Sequence, residues 1–420
     1  MKVVLVSLLT PASENIRGTS ALPYHIIKGA VNNDNVNINA NGASSAEQCR
    51  DVVEIYSFNA NNLSDEKIAE VEKELGVTVK VMPLPKWYQW MFKLHLLFLR
   101  VSLKYPLVNY IKLSKKTVDE IQSSVPDLIW VYGEELSRIV KQFPNQQRIQ
   151  IGPDTESLYY YRMMGRRFVT KSPLSYWKNA LMYRKYIRME RDFCTDKDFI
   201  YYAVGKEDVG HLQQLNPKVQ TKFLRHPHYE VSKLRIKNEG SRMKFHQPKI
   251  KLLIAGQYNL YMKQDADLLS EELRMKNEEL TPYYVITFLG KGWKEHVEVL
   301  RNAGYEVNHI KFASDYIEEI CKHDIQITPI SIGTGTKGKV LDALANGLLV
   351  IGTSYALENI AVKHGESCIE YRQPSEVITW LHEIVKDPKR FEDMAMAGQQ
   401  QVLTLHNPTR ISSQLFKITK

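Results

Sequence analysis

Cysteine is scarce in this 420-residue chain: Cys49, Cys194, Cys321 and Cys368 stand far apart, with no CxxC pair and no histidine at metal-ligand spacing. That pattern argues against a disulfide framework and a zinc site, and a reducing cytoplasm fits it best. No run of about 18 apolar residues occurs, so no membrane-spanning helix is expected. Met1–Leu9 is apolar but lacks a basic leader and meets Thr10-Pro11, which makes it a first β-strand rather than a signal peptide. Repeats and low-complexity tracts are missing too. With 44% apolar and 25% charged residues the chain is globular in composition, and its length exceeds what one core usually organises. Two domains are expected.

Acidic residues are absent from one long stretch. Lys86, Lys93, Arg100, Lys104, Lys112, Lys115 and Lys116 are interleaved there with Trp87, Tyr88, Trp90, Phe92 and Phe98, without a single Asp or Glu between Lys86 and Thr117. A second basic cluster runs from Arg162 to Arg191 against Glu190 alone. Clustered charge, unlike an even surplus, points to an anionic partner. Read as an amphipathic helix, Trp87–Val101 seats rings at a lipid interface and lysines at anionic headgroups; read as a core helix, it merely has a solvated basic face. No nucleic-acid module accompanies the charge, so nucleic acid is not the expected partner.

Strand-like runs at Val3–Leu8, Val52–Ser57, Thr78–Met82, Leu128–Tyr132, Arg148–Ile151 and Phe199–Val204 alternate with helix-like segments. This is the pattern of a parallel α/β sheet. The polar stretch Asn238–Pro248 reads as a linker, and a second β/α series follows at Ile250–Ala255, Tyr284–Leu289, Glu306–Ile310, Ile325–Pro329, Leu348–Ile351 and Cys368–Tyr371. The expected fold is α/β, with two Rossmann-like doubly wound domains facing across a cleft: residues 1–245, residues 246–395, and a C-terminal helix in 396–420 returning toward the first domain. In open α/β sheets, ligands bind at the carboxyl ends of the strands.

One run stands out chemically. Between the strand at Ile325 and the helix ending at Ala345 lies a loop containing Gly333, Thr334, Gly335 and Thr336, followed by Lys337 and Lys339. Glycines let backbone approach a ligand, and a helix start favours phosphate. Lysines at that end are unfavourable for an isolated helix, a cost that a bound anion relieves. Asp342 lies farther along the helix, placed either to accept hydrogen bonds from a ribose diol or to pair with Lys339. The run imitates a Walker A loop, but Val340 stands where a magnesium-binding Ser or Thr is required.

From Pro329 through Gly347, and on through Leu349–Thr353 and Ala356–Ile360, the sequence resembles the donor-binding segment of GT-B glycosyltransferases. It is similar to a bacterial polysaccharide-assembly subset with the pattern G-x-G-x-K-x-K-x-L-(D/E)-A, although Thr334 stands where the large retaining group carries its first acid. The resemblance implies a hexosyl transfer from a nucleotide-diphosphate-sugar to a saccharide, with Lys337 at the diphosphate and Asp342 at the ribose. It also implies donor contacts at Gly256 and Thr353 and an acceptor-side glycine loop at Gly18. A lipid-linked acceptor at the inner face of a bacterial membrane would give the basic, aromatic segments a use. Metal independence is expected.

Elsewhere, Asp154 follows a strand and serves either as a general base or as the cap of the next helix. His25 is a weaker catalytic candidate, for which packing is the alternative. Arg225, His226 and His228 either line the cleft or form a rigid proline turn. Glu358 is expected to begin a helix. Two other readings stay open: a nucleotide-sugar 2-epimerase of the same fold, and a non-catalytic nucleotide-sugar or membrane-surface binding protein. The sugar, the acceptor and the stereochemical course are not legible.

Overall fold

A computed structural model describes residues 1–14, 19–40, 52–94, 97–232 and 244–416. The chain divides into two compact units, Met1–Pro227 with Pro408–Lys420, and His228–Asn407. The division falls earlier than the polar stretch 238–248 suggests. The reason lies in the partners: the Ser232 backbone N–H donates to Asn346 Oδ1 at 2.8 Å, and that of Phe245 to Glu392 Oε1 at 2.8 Å, so both flanks of that stretch belong to the second unit.

The first unit holds seven parallel strands: β1 (Lys2–Ser7), β2 (Val52–Ser57), β3 (Thr78–Val81), β4 (Leu128–Tyr132), β5 (Arg148–Gly152), β6 (Phe199–Ala203) and β7 (Thr221–Phe223). Their order is β3-β2-β1-β4-β5-β6-β7. Side chains alternate across the sheet, so Val3 and Leu5 join Leu128 and Trp130 in one core while Val4 and Val6 join Ile129 and Val131 in the other. A strand buried on both faces is largely apolar, as β4 is, whereas β5 buries Arg148 and Gln150 by hydrogen-bonding them. The helix Pro408–Phe416 packs in this unit against the helix Ala21–Ala40. Ser412 Oγ donates to the Ile26 carbonyl, and Ile411, Leu415 and Phe416 complete the core around Trp130.

The second unit repeats the pattern with β8 (Ile250–Ala255), β9 (Tyr284–Leu289), β10 (Glu306–Ile310), β11 (Ile325–Thr328), β12 (Leu349–Thr353) and β13 (Ile369–Tyr371), in the order β10-β9-β8-β11-β12-β13. From β8 the chain winds first to one side and then, from β11, to the other. The loops after β8 and β11 therefore part and leave a crevice at their carboxyl ends, where such sheets bind ligands.

That crevice depends on glycine. Gly256, just past β8, has φ +133°, and its carbonyl accepts a 2.7 Å hydrogen bond from Trp293 Nε1. Gly290, past β9, has φ +138°, and a Cβ there would lie 2.3 Å from the Gly256 oxygen. Both the backbone angle and the contact exclude a side chain. Gly290→Ala is expected to cost about 3 kcal/mol of stability, measurable by urea unfolding.

Candidate functional site: the loop after β11 and the Asp154 turn

The loop after β11 is fixed from both sides. Ser331 N–H donates to the Tyr261 carbonyl at 2.7 Å, and the Asp265 N–H donates to Ser331 Oγ at 3.0 Å, tying the loop to the segment that follows β8. Thr353, at the end of β12, donates its hydroxyl to the Ile330 carbonyl at 2.6 Å and accepts from the Ala356 N–H at 3.1 Å. Its hydroxyl thus anchors the loop base.

Lys337 folds back over the loop. Its Nζ donates to the carbonyls of Thr334 (2.5 Å) and Gly335 (3.1 Å). Gly333 makes room for this, because a Cβ there would sit 2.8 Å from Lys337 Cε and 3.0 Å from Nζ. Gly335 turns the chain at φ +62°, and Thr336 leads into Lys337, which caps the helix Gly338–Ala345. An ammonium is thereby seated on the loop at the crevice end of the sheet.

Lys339 does not join it. Its Nζ lies over the Tyr316 ring, 4.9 Å from the centroid, and burial lowers its pKa. Both lysines stand at the helix start as expected, Lys337 as its cap and Lys339 on its first turn, but the Lys339 side chain is packed against another element.

Asp342 is buried. Burial pushes its pKa up to about 7, opposed by Lys339 and reinforced by Glu230, while a backbone hydrogen bond from Tyr229 favours the ionised form. Its Oδ1 has no hydrogen-bond partner, nor has the buried hydroxyl of Tyr316. No ion pair joins Lys339 to Asp342 among the described residues, so the simple pairing does not account for the carboxylate. A buried acceptor without a partner is costly, and a ligand hydroxyl would relieve that cost. Tyr316 was not legible as part of this site, because it comes from the segment after β10 and carries no motif.

In the first unit, Asp154 follows β5 and is half-buried. It is not the helix cap. Thr155 is the N-cap of the helix Glu156–Met164 and makes no side-chain cap bond. Three buried acids from other segments hold the amides instead: Asp208 accepts from Thr155 N–H (2.8 Å), Glu134 from Glu156 N–H (3.0 Å) and Glu190 from Ser157 N–H (3.0 Å). Burial drives Glu134 well above the usual carboxylate range, with Glu190 beside it adding to the effect.

Glu156 was missed in the sequence. Burial, then the neighbours Glu135, Asp154 and Glu190, push it from 4.5 up to about 8. Because the folded value exceeds the unfolded one, the folded chain holds an extra proton between these values. Stability from this group is therefore full below about 4.5 and falls as pH rises toward 8. Glu156→Gln is expected to raise stability at pH 8.5 by roughly 2 kcal/mol after allowing for partial exposure, and to leave it unchanged at pH 4. Urea unfolding at the two pH values checks this.

The remaining candidates have structural surroundings. His25 is buried on the helix Ala21–Ala40, its Nε2 3.2 Å from the Ser13 carbonyl and its ring edge-on to Tyr24. His226 lies with Nδ1 2.7 Å from the Pro227 carbonyl, and burial pushes it down to about 4, so it is neutral. His228 contacts the Tyr229 carbonyl at 3.2 Å and is likewise lowered by burial. Arg225 stacks on Phe223 at 5.7 Å. Glu358 does not begin a helix but caps the end of Ser354–Leu357, since Thr353 already supplies the N-cap. Gly18 lies outside the described residues. Among those residues, no group of three or more His, Cys, Asp or Glu is arranged to hold a metal.

Two Rossmann-type sheets with the 3-2-1-4-5-6 winding, the second with a glycine–lysine loop at its switch point, are the architecture of the GT-B fold. Residues 268–417 match the family model described as glycosyl transferase-like. Among solved structures, Anabaena Alr3699/HepE in complex with UDP is similar with a TM-score of 0.61 at 12% identity, covering 100% of this chain and 99% of that one. A glycosyltransferase from Rickettsia africae gives 0.61 at 11% identity, with 100% and 97% covered. WaaG, a glycosyltransferase involved in lipopolysaccharide biosynthesis, gives 0.56 at 12% identity, with 98% and 99% covered. At such identities the structural likeness concerns the fold. No curated sequence matches the chain.

Proposed function

We propose that this chain transfers a sugar from a nucleotide-diphosphate-sugar, bound by the second unit, to a lipid-linked saccharide bound by the first. The observation that carries the reading is the pairing of the Lys337 ammonium, seated on its loop, with the buried, under-bonded Asp342 carboxylate on the helix that follows. Lys337 would meet the charge that develops on the departing diphosphate, and Asp342 the ribose diol. Asp154 is the candidate base for the acceptor hydroxyl. The HepE structures described as holding UDP and UDP-glucose make uridine donors the first to try.

The test is release of nucleoside diphosphate from a panel of nucleotide-sugars, with and without a polyprenyl-phosphate-linked saccharide, in buffer containing EDTA. Acceptor-dependent release supports the reading and its metal independence. Interconversion of sugar isomers without acceptor would assign an epimerase, and binding without turnover a carrier.

Membrane docking is the second part of the proposal. The helices Lys86–Lys93 and Pro173–Arg191 leave Trp90 62%, Trp177 70% and Leu174 82% exposed, amid lysines and arginines. Lys185 is the exception within the basic run, being buried with its Nζ on the Arg100 carbonyl. Replacing Trp90 and Trp177 by serine is expected to weaken flotation with phosphatidylglycerol vesicles roughly tenfold per residue, and salt should weaken the parent likewise.

A further inference from the structure

We infer that the first unit carries a second anion site, separate from the loop after β11, which takes a phosphate group. It is a cavity of about 200 Å³ beside the turn Leu107–Tyr110, lined in part by Tyr105, Lys112, Ser137, Arg138, Lys141 and Asp192. That is smaller than the roughly 300–1,000 Å³ of pockets for drug-sized ligands, so it suits a phosphate group rather than a whole nucleotide-sugar.

Arg138 is the centre of the argument. Its guanidinium lies over two rings, 5.0 Å from the Tyr105 centroid and 4.6 Å from that of Tyr110. Among the described residues none of its N–H donors has a hydrogen-bond or ion-pair partner. A planar fork resting on two rings is already ordered for an oxyanion, so little side-chain freedom is lost on binding.

The neighbours contribute donors and uncompensated charge. Lys112 has no hydrogen bond or ion pair among the described residues. Lys141 Nζ donates to the backbone carbonyl of Asp192 at 2.5 Å, which positions its charge without neutralising it. The one lining carboxylate, that of Asp192, is already engaged by the Tyr105 hydroxyl and lies 3.7 Å from Lys104 Nζ. Ser137 Oγ accepts from Asn109 Nδ2 at 2.8 Å and keeps its own proton to give. Two lysines, an arginine fork and a hydroxyl together match a phosphate monoester or free phosphate. The group can come from a soluble ester or from a lipid headgroup.

Isothermal titration of the full chain with inorganic phosphate, and flotation with phosphatidic acid in phosphatidylcholine vesicles, separate these sources. Saturable phosphate binding at one equivalent assigns a soluble ester; vesicle binding without it assigns a headgroup. In either case Arg138→Met, which keeps a stem against the rings, should weaken binding about tenfold, as should the exposed Lys112→Gln. Absence of saturable binding to both probes overturns the assignment, and so does binding that neither variant weakens. Should Arg138→Met fail to fold, Lys112→Gln decides alone.

Discussion

Lys337→Ala is expected to weaken binding of a nucleoside diphosphate by roughly 30-fold, the loss of a charge-assisted contact worth about 2 kcal/mol. The unliganded protein should hardly notice. In the structure the Lys337 ammonium donates to two carbonyls of its own loop, those of Thr334 and Gly335. Thermal unfolding without ligand should therefore shift little, while the stabilisation conferred by added nucleotide should largely vanish. If affinity survives the substitution, the ammonium is a loop clasp and the diphosphate binds elsewhere. Lys337→Arg is informative beside it, because it keeps the positive charge while replacing the compact ammonium by a longer planar fork.

Asp342→Asn should move stability and binding in opposite directions. In the unliganded chain, burial raises this carboxyl from 3.8 to about 7. Its contribution to stability is thus full below pH 3.8 and is lost as pH rises toward 7, and the asparagine variant escapes that loss. At pH 8 the variant is expected to be more stable by about 1–2 kcal/mol, with a flatter pH profile of the urea midpoint. Donor affinity should fall about tenfold or more, since a diol donates best to a carboxylate. A ribose that favours the ionised form also predicts that parental affinity rises between pH 5.5 and 8, with proton release on binding. A variant that gains stability but keeps affinity would leave Asp342 as a strained core residue and nothing more.

The sheets were legible because their strands are buried on both faces. Leu128–Tyr132 and Tyr284–Leu289 have no polar residue to confuse the pattern beyond Thr287, and their ends coincide with those expected. β7 was not, since Thr-Lys-Phe at a partly exposed edge is too short for any periodicity. At the site, the loop after β11 announced itself through its two glycines and the lysine. Its surroundings did not. Tyr316 reaches Lys339 from a different segment, and the acids that cap the Asp154 turn lie at 134, 190 and 208, spacings that carry no local signal. Glu358 was misread for a related reason: a hydroxyl five residues earlier had already started and capped its helix.

The return of the last helix to the first unit affects how the molecule is made. Trp130 and its neighbours lack part of their apolar cover until Ile411, Leu415 and Phe416 arrive. During synthesis the amino-terminal sheet must therefore wait, partly uncovered, while the entire second unit is translated and able to fold on its own. The unit made first is finished last. A nascent chain stalled before residue 408 would present that uncovered face of the sheet core to chaperones.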